Sequence, residues 1–588
     1  MKCMMKCKNW KGTVMLFVFG IGIGIVICIV IHYFATKESD QSSGGPYKRA
    51  AVATDTPQCS QIGKDILDVN GSAVDAAIAA MFCLGVVSMH SSGIGGGGVM
   101  LVYNRSLHEA KVIDFRETAP AQADSNMFKG NVSKSKKGGL SIAVPGEVRG
   151  QREAWKRYGW LPWRRLVQPA IDLARYGFEI TQAVDDALKT TKGIEQDIRN
   201  DPGLSELLID YNGKLRQKGD KIQNEKYAKT LEKVQENPES FYSGPLASDI
   251  VQDIRIINGT VTPEDLRKYR SISREPYESK LSGMKMYLTP PPTSGPVLAL
   301  ILNILKGYDM MSWDRDDVDS SVLTYHRIVE SFKFSYAWRS RLGDPAFNSK
   351  IDKAAKKMLK QETGDRIRHK IRDSMTYKNV SYYADSFSDA DYGTTHLAVL
   401  APNGDAVSVT TTINMRFGCK YRSMTTGIIY NNEMADFDTP DNNIVDGISP
   451  SPFNFPAPGK RPFSSMSPAI LIDGDGKVKL VIGASGGKRI TTAVSLVLMN
   501  KLWFGQSLSD AVDEPRLHTQ LVPDQTVFYE KHKKYRLSEE IVEGLRKRGH
   551  DVMAANPFAV VQAVFRDPTG KGIYAKSDPR KHGAPAGQ

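Results

Sequence analysis

The stretch "DADYGTTHLAVLAPNGDAVSVTTTIN", residues 389 to 414, sets Gly393-Thr394 at the head of a strand-like run, behind an acidic loop. A threonine hydroxyl in water is a poor nucleophile. Its own α-amine can activate it, but only if the threonine begins a chain. A free α-amine titrates near about 7.7–8.0, close to the pH at which a general base works best. Gly393 supplies the small size and flexibility that let the hydroxyl reach the preceding carbonyl. The chemistry implied is self-cleavage of the 393–394 bond, exposing Thr394 as the nucleophile. The plain alternative is a threonine that opens a half-buried strand. With Asn403-Gly404 as the hairpin turn, paired residue numbers sum to about 807, which sets Thr394 opposite Ile413. One bulged residue would then bring Thr412 or Asn414 onto the face of Thr394.

The elements that must position this hairpin are readable on both sides of it. Ser72 followed by Asp75 in "NGSAVDAAIAAMFCLGVVSMH" is a capping-box signal for a helix over about 73–88, and its small residues suit close packing between layers. "GIGGGG" matches G-x-G-x-x-G but lacks the preceding strand and receiving helix of a dinucleotide site. It opens the strand "VMLVYN" instead, where glycines allow close backbone approach. From about 150 to 380 the pattern is mainly helical, as in "PWRRLVQPAIDLARYGFEI" and "LALILNILKGY". After 394 strands dominate: "HLAVLA", "AVSVTTTI", "GIIYNN", "AILIDGDGKVKLVIGA" and "FAVVQAVFRD", with hairpin turns in "APNGDA" and "DGDGK". Packed antiparallel sheets covered by helices are expected.

The chain has 588 residues, 41% hydrophobic and 24% charged, without a fixed-period repeat, which is a globular composition. Residues Thr13 to Phe34 form an uncharged apolar run. At about 1.5 Å per residue it spans a hydrocarbon core of roughly 30 Å. "HYFATKESD" offers a poor cleavage exit, so the run reads as an uncleaved anchor. Lys2, Lys6, Lys8 and Lys11 precede it, while Lys37 and Glu38 nearly cancel after it. The expectation is a cytoplasmic tail (1–12), a single transmembrane helix (13–34), a flexible stem (35–48) and an ectodomain at the cell surface, single-pass type II. Gly20 and Gly24 read as permissive packing rather than a dimer face. The net charge of +13 comes from patches such as "SKSKKGG", "RIRHKIR" and "KHKKYR". These mix with acids and lack interleaved aromatics, so they read as solvated faces and not as a nucleic-acid surface. Of six cysteines, Cys59, Cys83 and Cys419 fall on the oxidising side. Cys59 and Cys83 share the first helical region and are paired, leaving Cys419 odd. Cys3 and Cys7 are candidate acylation sites. Sequons begin at Asn70, Asn104, Asn131, Asn258 and Asn379.

From "AAVATDTPQCSQIG" to "SDPRKHGAPAGQ" the sequence resembles gamma-glutamyltranspeptidase, of the membrane-anchored animal type. The resemblance is carried in order by "NGSAVDAAIAA", "HSSGIGGGG", "GGLSIAVPGEVRG", "TSGPVLALILNILKGY", "YGTTHLAVL", "NNEMADF", "PFSSMSP" and "IGASGG". It implies an α/β N-terminal-nucleophile hydrolase, a four-layer αββα sandwich, made as a precursor that splits into a large subunit (49–393) and a small subunit (394–588). It sets Thr394 on the nucleophile and Thr412 on the partner of its hydroxyl. Arg116 matches the arginine that holds the substrate α-carboxylate, and its planar fork suits bidentate pairing. By itself, a structural ion pair of Arg116 with Asp114 or Glu117 reads equally well. Glu433 and Asp436 match the acids that hold the α-ammonium; alone, two acids three apart are usually a solvated turn. Ser464 and Ser465 match a serine pair bonding the carboxylate, and Asn414 a further glutamyl contact. Gly486 and Gly487 match the backbone donors to the oxyanion, a role in which one donor is worth about 3 kcal/mol of barrier. A strand-to-helix turn would use the same glycines.

The implied reaction is ping-pong. Thr394 attacks the γ-glutamyl amide of glutathione, cysteinylglycine leaves, and water or an amino acid or dipeptide acceptor takes the glutamyl group. No metal or organic cofactor is expected. Arg416 stands where animal relatives often carry an aromatic residue beside the site. Ala435 replaces the first of two adjacent acids, Cys419 replaces a small polar residue and suggests redox sensitivity, and a second disulfide lacks its cysteines near 204. Two other readings compete: a related acylase of other amides, and an inactive type II surface relative with a binding or adhesion role.

Overall fold

Along the strand Thr395–Leu400, Leu397 and Val399 join one cluster of buried side chains, while Ala398 and Leu400 join another. This is the period of two expected of a strand covered on both faces. The first cluster lies against helices. The second lies against another sheet, to which Ser408 Oγ donates a hydrogen bond at the Ile482 carbonyl oxygen, 2.9 Å away. The computed structural model describes residues 43–311, 315, 317–384, 386, 393–440, 449–522, 525–532, 534–556 and 558–588. The expected tail, the apolar span 13–34 and the stem as far as residue 42 lie outside the described residues. Among the described residues no helix is long and apolar enough to cross a membrane.

Two seven-stranded antiparallel sheets form the centre. The first runs Ala586–Gly587, Ala51–Ala53, Thr395–Leu400, Ala406–Thr412, Gly97–Asn104, Glu109–Phe115, Ile272–Arg274. The second runs Ser43–Tyr47, Ile573–Ser577, Val560–Arg566, Val478–Ser485, Ala469–Ile472, Met284–Leu288, Tyr277–Leu281. Each sheet has its own apolar layer against helices, which completes the expected αββα order. The helix Ala73–Val87 starts at the foreseen capping box and is buried along its whole length. Cys83 on it is bonded to Cys59.

The structure corrects three expectations. The hairpin after Thr394 closes through three residues, Pro402-Asn403-Gly404, with Ala401 N–H bonded to Asp405 O and Gly404 at φ +88°. A three-residue loop ending in a left-handed glycine is a common hairpin connection, and it shifts the register by one. Thr395 pairs with Thr411, so Thr394 falls opposite Thr412 and no bulge is needed. "GIIYNN" is not a sheet strand: its backbone bonds to Gly95 O and Cys419 N, among glycines whose absent Cβ lets it pass. Finally, the hairpin Tyr277–Leu281/Met284–Leu288 lies in the supposedly helical middle. Its signal was the Ser282-Gly283 turn, both residues at positive φ, between alternating apolar positions.

Candidate active site

Thr394 is buried just ahead of its strand, and its Oγ1 donates to Thr412 Oγ1 at 3.4 Å. Thr412 Oγ1 also accepts from the Asn414 N–H at 2.8 Å. Both threonines continue the alternation that points His396, Ala398 and Ser408 toward the second sheet. The backbone here is unusual. Gly393 has φ +90° and Thr394 has φ +153°. A β-branched residue in such a conformation stores on the order of 1–3 kcal/mol. A Cβ on residue 393 would lie 1.9 Å from the Asn414 carbonyl oxygen, so only glycine fits.

The backbone of Thr394 is held by residues that the sequence did not single out. Lys581 Nζ donates to Thr394 O at 2.9 Å and to Ser91 Oγ at 3.3 Å, and pairs with Asp55 Oδ2 at 2.5 Å. Asp55, fully buried, also accepts from Thr395 Oγ1 and from Gln562 Nε2. Asp55 and Lys581 stand at opposite ends of the chain, and neither lies in a motif that marks it.

Across the same end of the sheet, Thr412 pairs with Gly97, and Gly97 sits against Phe115 O, where a Cβ would come within 2.4 Å. Adjacent strands are about 4.8 Å apart, so the backbone of Arg116 lies roughly 14 Å from Thr394 along this row. Arg116 is fully buried. Its Nη1 donates to Glu433 Oε1, its Nη2 to Asp436 Oδ2, and its Nε to Pro462 O at 3.3 Å. Glu433 and Asp436 bracket a single 3-10 turn, in which residues three apart eclipse. They are therefore a buried, converging pair and not a solvated turn. Of the two structural partners considered from sequence, Asp114 turns to Arg274 at 2.8 Å and Arg461 at 3.5 Å. Glu117 lies 3.6 Å from Arg116, and burial pushes its carboxyl up to about 8. Burial likewise raises Glu147 to about 8, against its hydrogen bonds from Thr411 and Gln151.

Three further groups were expected at the site. Asn414 donates from Nδ2 to Asn432 O at 3.0 Å, while its Oδ1 has no hydrogen-bond partner among the described residues. Ser464 and Ser465 follow Pro462; Ser464 N–H bonds to Pro292 O at 2.8 Å, and Ser465 Oγ accepts from Arg339 Nη2 at 3.4 Å. Gly486 and Gly487, at φ +123° and +62°, join the strand Val478–Ser485 to the helix Arg489–Leu502. A Cβ on Gly486 would meet Ala559 Cα at 2.6 Å. N–H groups at a helix start lack intrahelical partners and favour negative charge. The two strands concerned touch where His396 packs on Gly483. Arg416, expected beside the site, donates to Thr190 Oγ1 at 2.7 Å, at the end of the helix Gln182–Thr190, and to Thr191 Oγ1 at 3.1 Å. Cys419 is free but buried, and burial raises its thiol to about 12, which removes the thiolate that redox sensing requires.

Two antiparallel sheets between helix layers, with a buried threonine at the head of an inner strand, are the architecture of an N-terminal-nucleophile hydrolase. The chain belongs to the gamma-glutamyltranspeptidase family, whose model matches residues 59–588. It is 40% identical over 567 residues, 96% of each chain, to Scoloptoxin SSD14 of Scolopendra dehaani. It is 36% identical to Glutathione hydrolase 5 proenzyme of Mus musculus, covering 98% of this chain and 99% of that one. Among solved structures, cephalosporin acylase from Bacillus halodurans superposes with a TM-score of 0.76 at 27% identity, over 92% of this chain and 96% of that one.

Proposed function

We propose that the chain is a γ-glutamyltransferase and glutathione hydrolase, made as a precursor that cuts itself between Gly393 and Thr394. The observation that carries the reading is one row at the sheet end. A hydroxyl behind a glycine at positive φ stands at one side of it, and a buried arginine gripping two carboxylates at the other. In maturation Thr394 Oγ adds to the Gly393 carbonyl carbon, and the C–N bond breaks to leave an ester and a free α-amine. Water then hydrolyses the ester, freeing the Gly393 carboxylate. The name of the mouse relative, a proenzyme, fits this step.

In the mature site the Thr394 amine takes the hydroxyl proton as Oγ attacks the γ-glutamyl carbonyl. Thr412 fixes the hydroxyl. Gly486 and Gly487 donate to the oxyanion. Arg116, with Ser464 and Ser465, holds the substrate α-carboxylate, while Glu433, Asp436 and Asn414 take its α-ammonium. The amine proton passes to the leaving nitrogen, cysteinylglycine departs from glutathione, and water or an amino acid or dipeptide acceptor attacks the acyl-enzyme. The same proposal includes the type II anchor at 13–34, supported by the apolar run and its lysine flank, with subunits 49–393 and 394–588. Exposed Asn70, Asn131, Asn258 and Asn379 leave room for attached sugar.

A denaturing gel with N-terminal sequencing of the smaller band tests the reading. A fragment beginning Thr-Thr-His-Leu, with release of glutamate from glutathione, is expected; both vanish in Thr394→Ala. Full maturation of Thr394→Ala would refute the nucleophile. An intact chain without activity would mean a stalled precursor or a non-catalytic surface relative.

A further inference from the structure

Away from this row, the helical layer over the second sheet contains a pocket of about 600 Å³. Its wall is built by the end of the helix Val318–Arg339, the helices Ser349–Met358 and Gln361–Arg368, and the turn Val380–Tyr382. Lys357, Lys360, Arg366 and Lys370 line it, with Arg341 and, among the described lining residues, one carboxylate, Glu362. The rings of Phe334, Trp338 and Tyr382 form the rest of its lining, with Arg341 lying over Trp338 at 4.6 Å.

The sequence alone suggested that "RIRHKIR" is a solvated face, and Arg366 and Lys370 are exposed. Arg366, on the helix Gln361–Arg368, and Lys370, just beyond its end, both line the pocket. Arg368, between them, pairs with Asp365 at 2.7 Å. On the preceding helix Lys356 pairs with Asp352 at 2.7 Å while Lys357 turns into the pocket. Asp352 and Asp365 are thus spent on bases outside the pocket, and Glu362 is the acid these two helices leave in its lining. Lys357, Lys360, Arg366 and Lys370 have no acidic partner within 4 Å among the described residues. A concave wall of one sign focuses the field and concentrates counter-ions.

We infer that this pocket binds a small organic polyanion, a saccharide-sized body carrying two or more phosphate or sulfate groups. One anionic group would leave most of the charge uncompensated, so the ligand is multivalent. Its volume falls in the range of about 300–1,000 Å³ typical of small-molecule sites. Arginine forks and lysine ammoniums match the tetrahedral oxyanions of phosphate and sulfate. The aromatic walls supply a surface for the flat body that carries them.

The test is isothermal titration calorimetry on the whole protein. The two probes are myo-inositol hexakisphosphate and a trisulfated heparin disaccharide, at low and at physiological salt. At least one probe is expected to bind at micromolar concentration and to weaken as salt rises. The double variant Lys360→Glu/Arg366→Glu should bind at least about a hundredfold more weakly, because each reversal replaces attraction with repulsion. Both residues are exposed and remote from Thr394, so activity on glutathione should be unchanged, which certifies the fold. The phosphate probe alone binding assigns a phosphorylated ligand, and the sulfated probe alone a sulfated one. No binding of either probe at millimolar concentration, or equal binding by the double variant, would overturn the inference.

Discussion

Gly393→Ala puts the cleavage geometry to the sharpest test. The added Cβ meets Asn414 O at 1.9 Å and its carbonyl carbon at 3.0 Å, and both are backbone atoms that cannot swing aside. Alanine in a left-handed backbone costs about 1–2 kcal/mol before any clash. Relief requires residue 393 to rotate away or Asn414 to move. Rotation withdraws the carbonyl from Thr394 Oγ1. Moving Asn414 disturbs its N–H bond to Thr412 Oγ1, which fixes the partner of that hydroxyl. Either route adds at least the conformational cost to the barrier, so self-cleavage should slow by about 5–30-fold, and more if the clash is not relieved. The assay is a time course of newly purified precursor on a denaturing gel, scoring intact chain against the fragment of about 195 residues. Thr394→Ala is the uncut reference. Maturation of Gly393→Ala at the wild-type rate would show that the positive-φ approach is not part of the reaction.

Other residues give separable outcomes. Arg116→Lys replaces a fork by a point charge and loses one charge-assisted bond, worth about 1.5–3 kcal/mol. In steady-state kinetics KM for glutathione should rise about 10–100-fold with kcat little changed; a fall in kcat at constant KM contradicts this. Lys581→Met removes the donor to Thr394 O and strands Asp55, which keeps its bonds from Thr395 and Gln562. The loss should sit near the low end of the buried-pair range, about 3 kcal/mol, read as a lowered Tm; an unchanged Tm refutes it. Burial raises Glu147 to about 8 from an ordinary 4.5, so between those values the folded state keeps a proton that the unfolded chain has released. Stability therefore falls as pH rises through that window. Glu147→Gln should flatten the slope in Tm measured from acidic to mildly alkaline pH, and an identical slope would exclude Glu147 as its source.

The capping box and the disulfide were legible because each rests on local spacing: Ser72 and Asp75 are three apart, and Cys59 and Cys83 fall in adjacent helices. The register was one residue off because Asn403-Gly404 fits a two-residue turn as well as the last two positions of a three-residue loop, and only strand pairing decides. Arg116 had Asp114 and Glu117 as nearest charges in sequence. Its partners Glu433 and Asp436 lie more than 300 residues away, brought to it by the order of strands. Lys581 and Asp55 were silent for the same reason: 526 positions separate them, and neither type nor spacing marks either one. In the basic run 366–372, Arg366 and Lys370 are exposed as its composition suggested, and that they share one pocket with Lys357 and Lys360 is set by the packing of separate segments, not by the run.

Charge balance at the sheet end separates a γ-glutamyl group from other acyl groups that this fold could carry. With Arg116, Glu433 and Asp436 all fully buried, the free site satisfies one cation with two carboxylates. A γ-glutamyl group brings one charge of each sign. On the proposed assignment its carboxylate takes a bond from Arg116 and its ammonium takes the acid so released, leaving every buried charge partnered. A glutaryl amide has the same chain and carboxylate but no ammonium. It adds an anion beside two others and strands a carboxylate, a situation that costs about 3–5 kcal/mol when one partner of a buried pair is missing. The expected ratio of kcat/KM for γ-glutamyl over glutaryl anilide is therefore at least about a hundredfold. Asp436→Asn should narrow it by lowering the γ-glutamyl rate and sparing the glutaryl one. Equal rates on the two anilides would mean that the acids only neutralise Arg116, and that the site selects its substrate by the carboxylate alone.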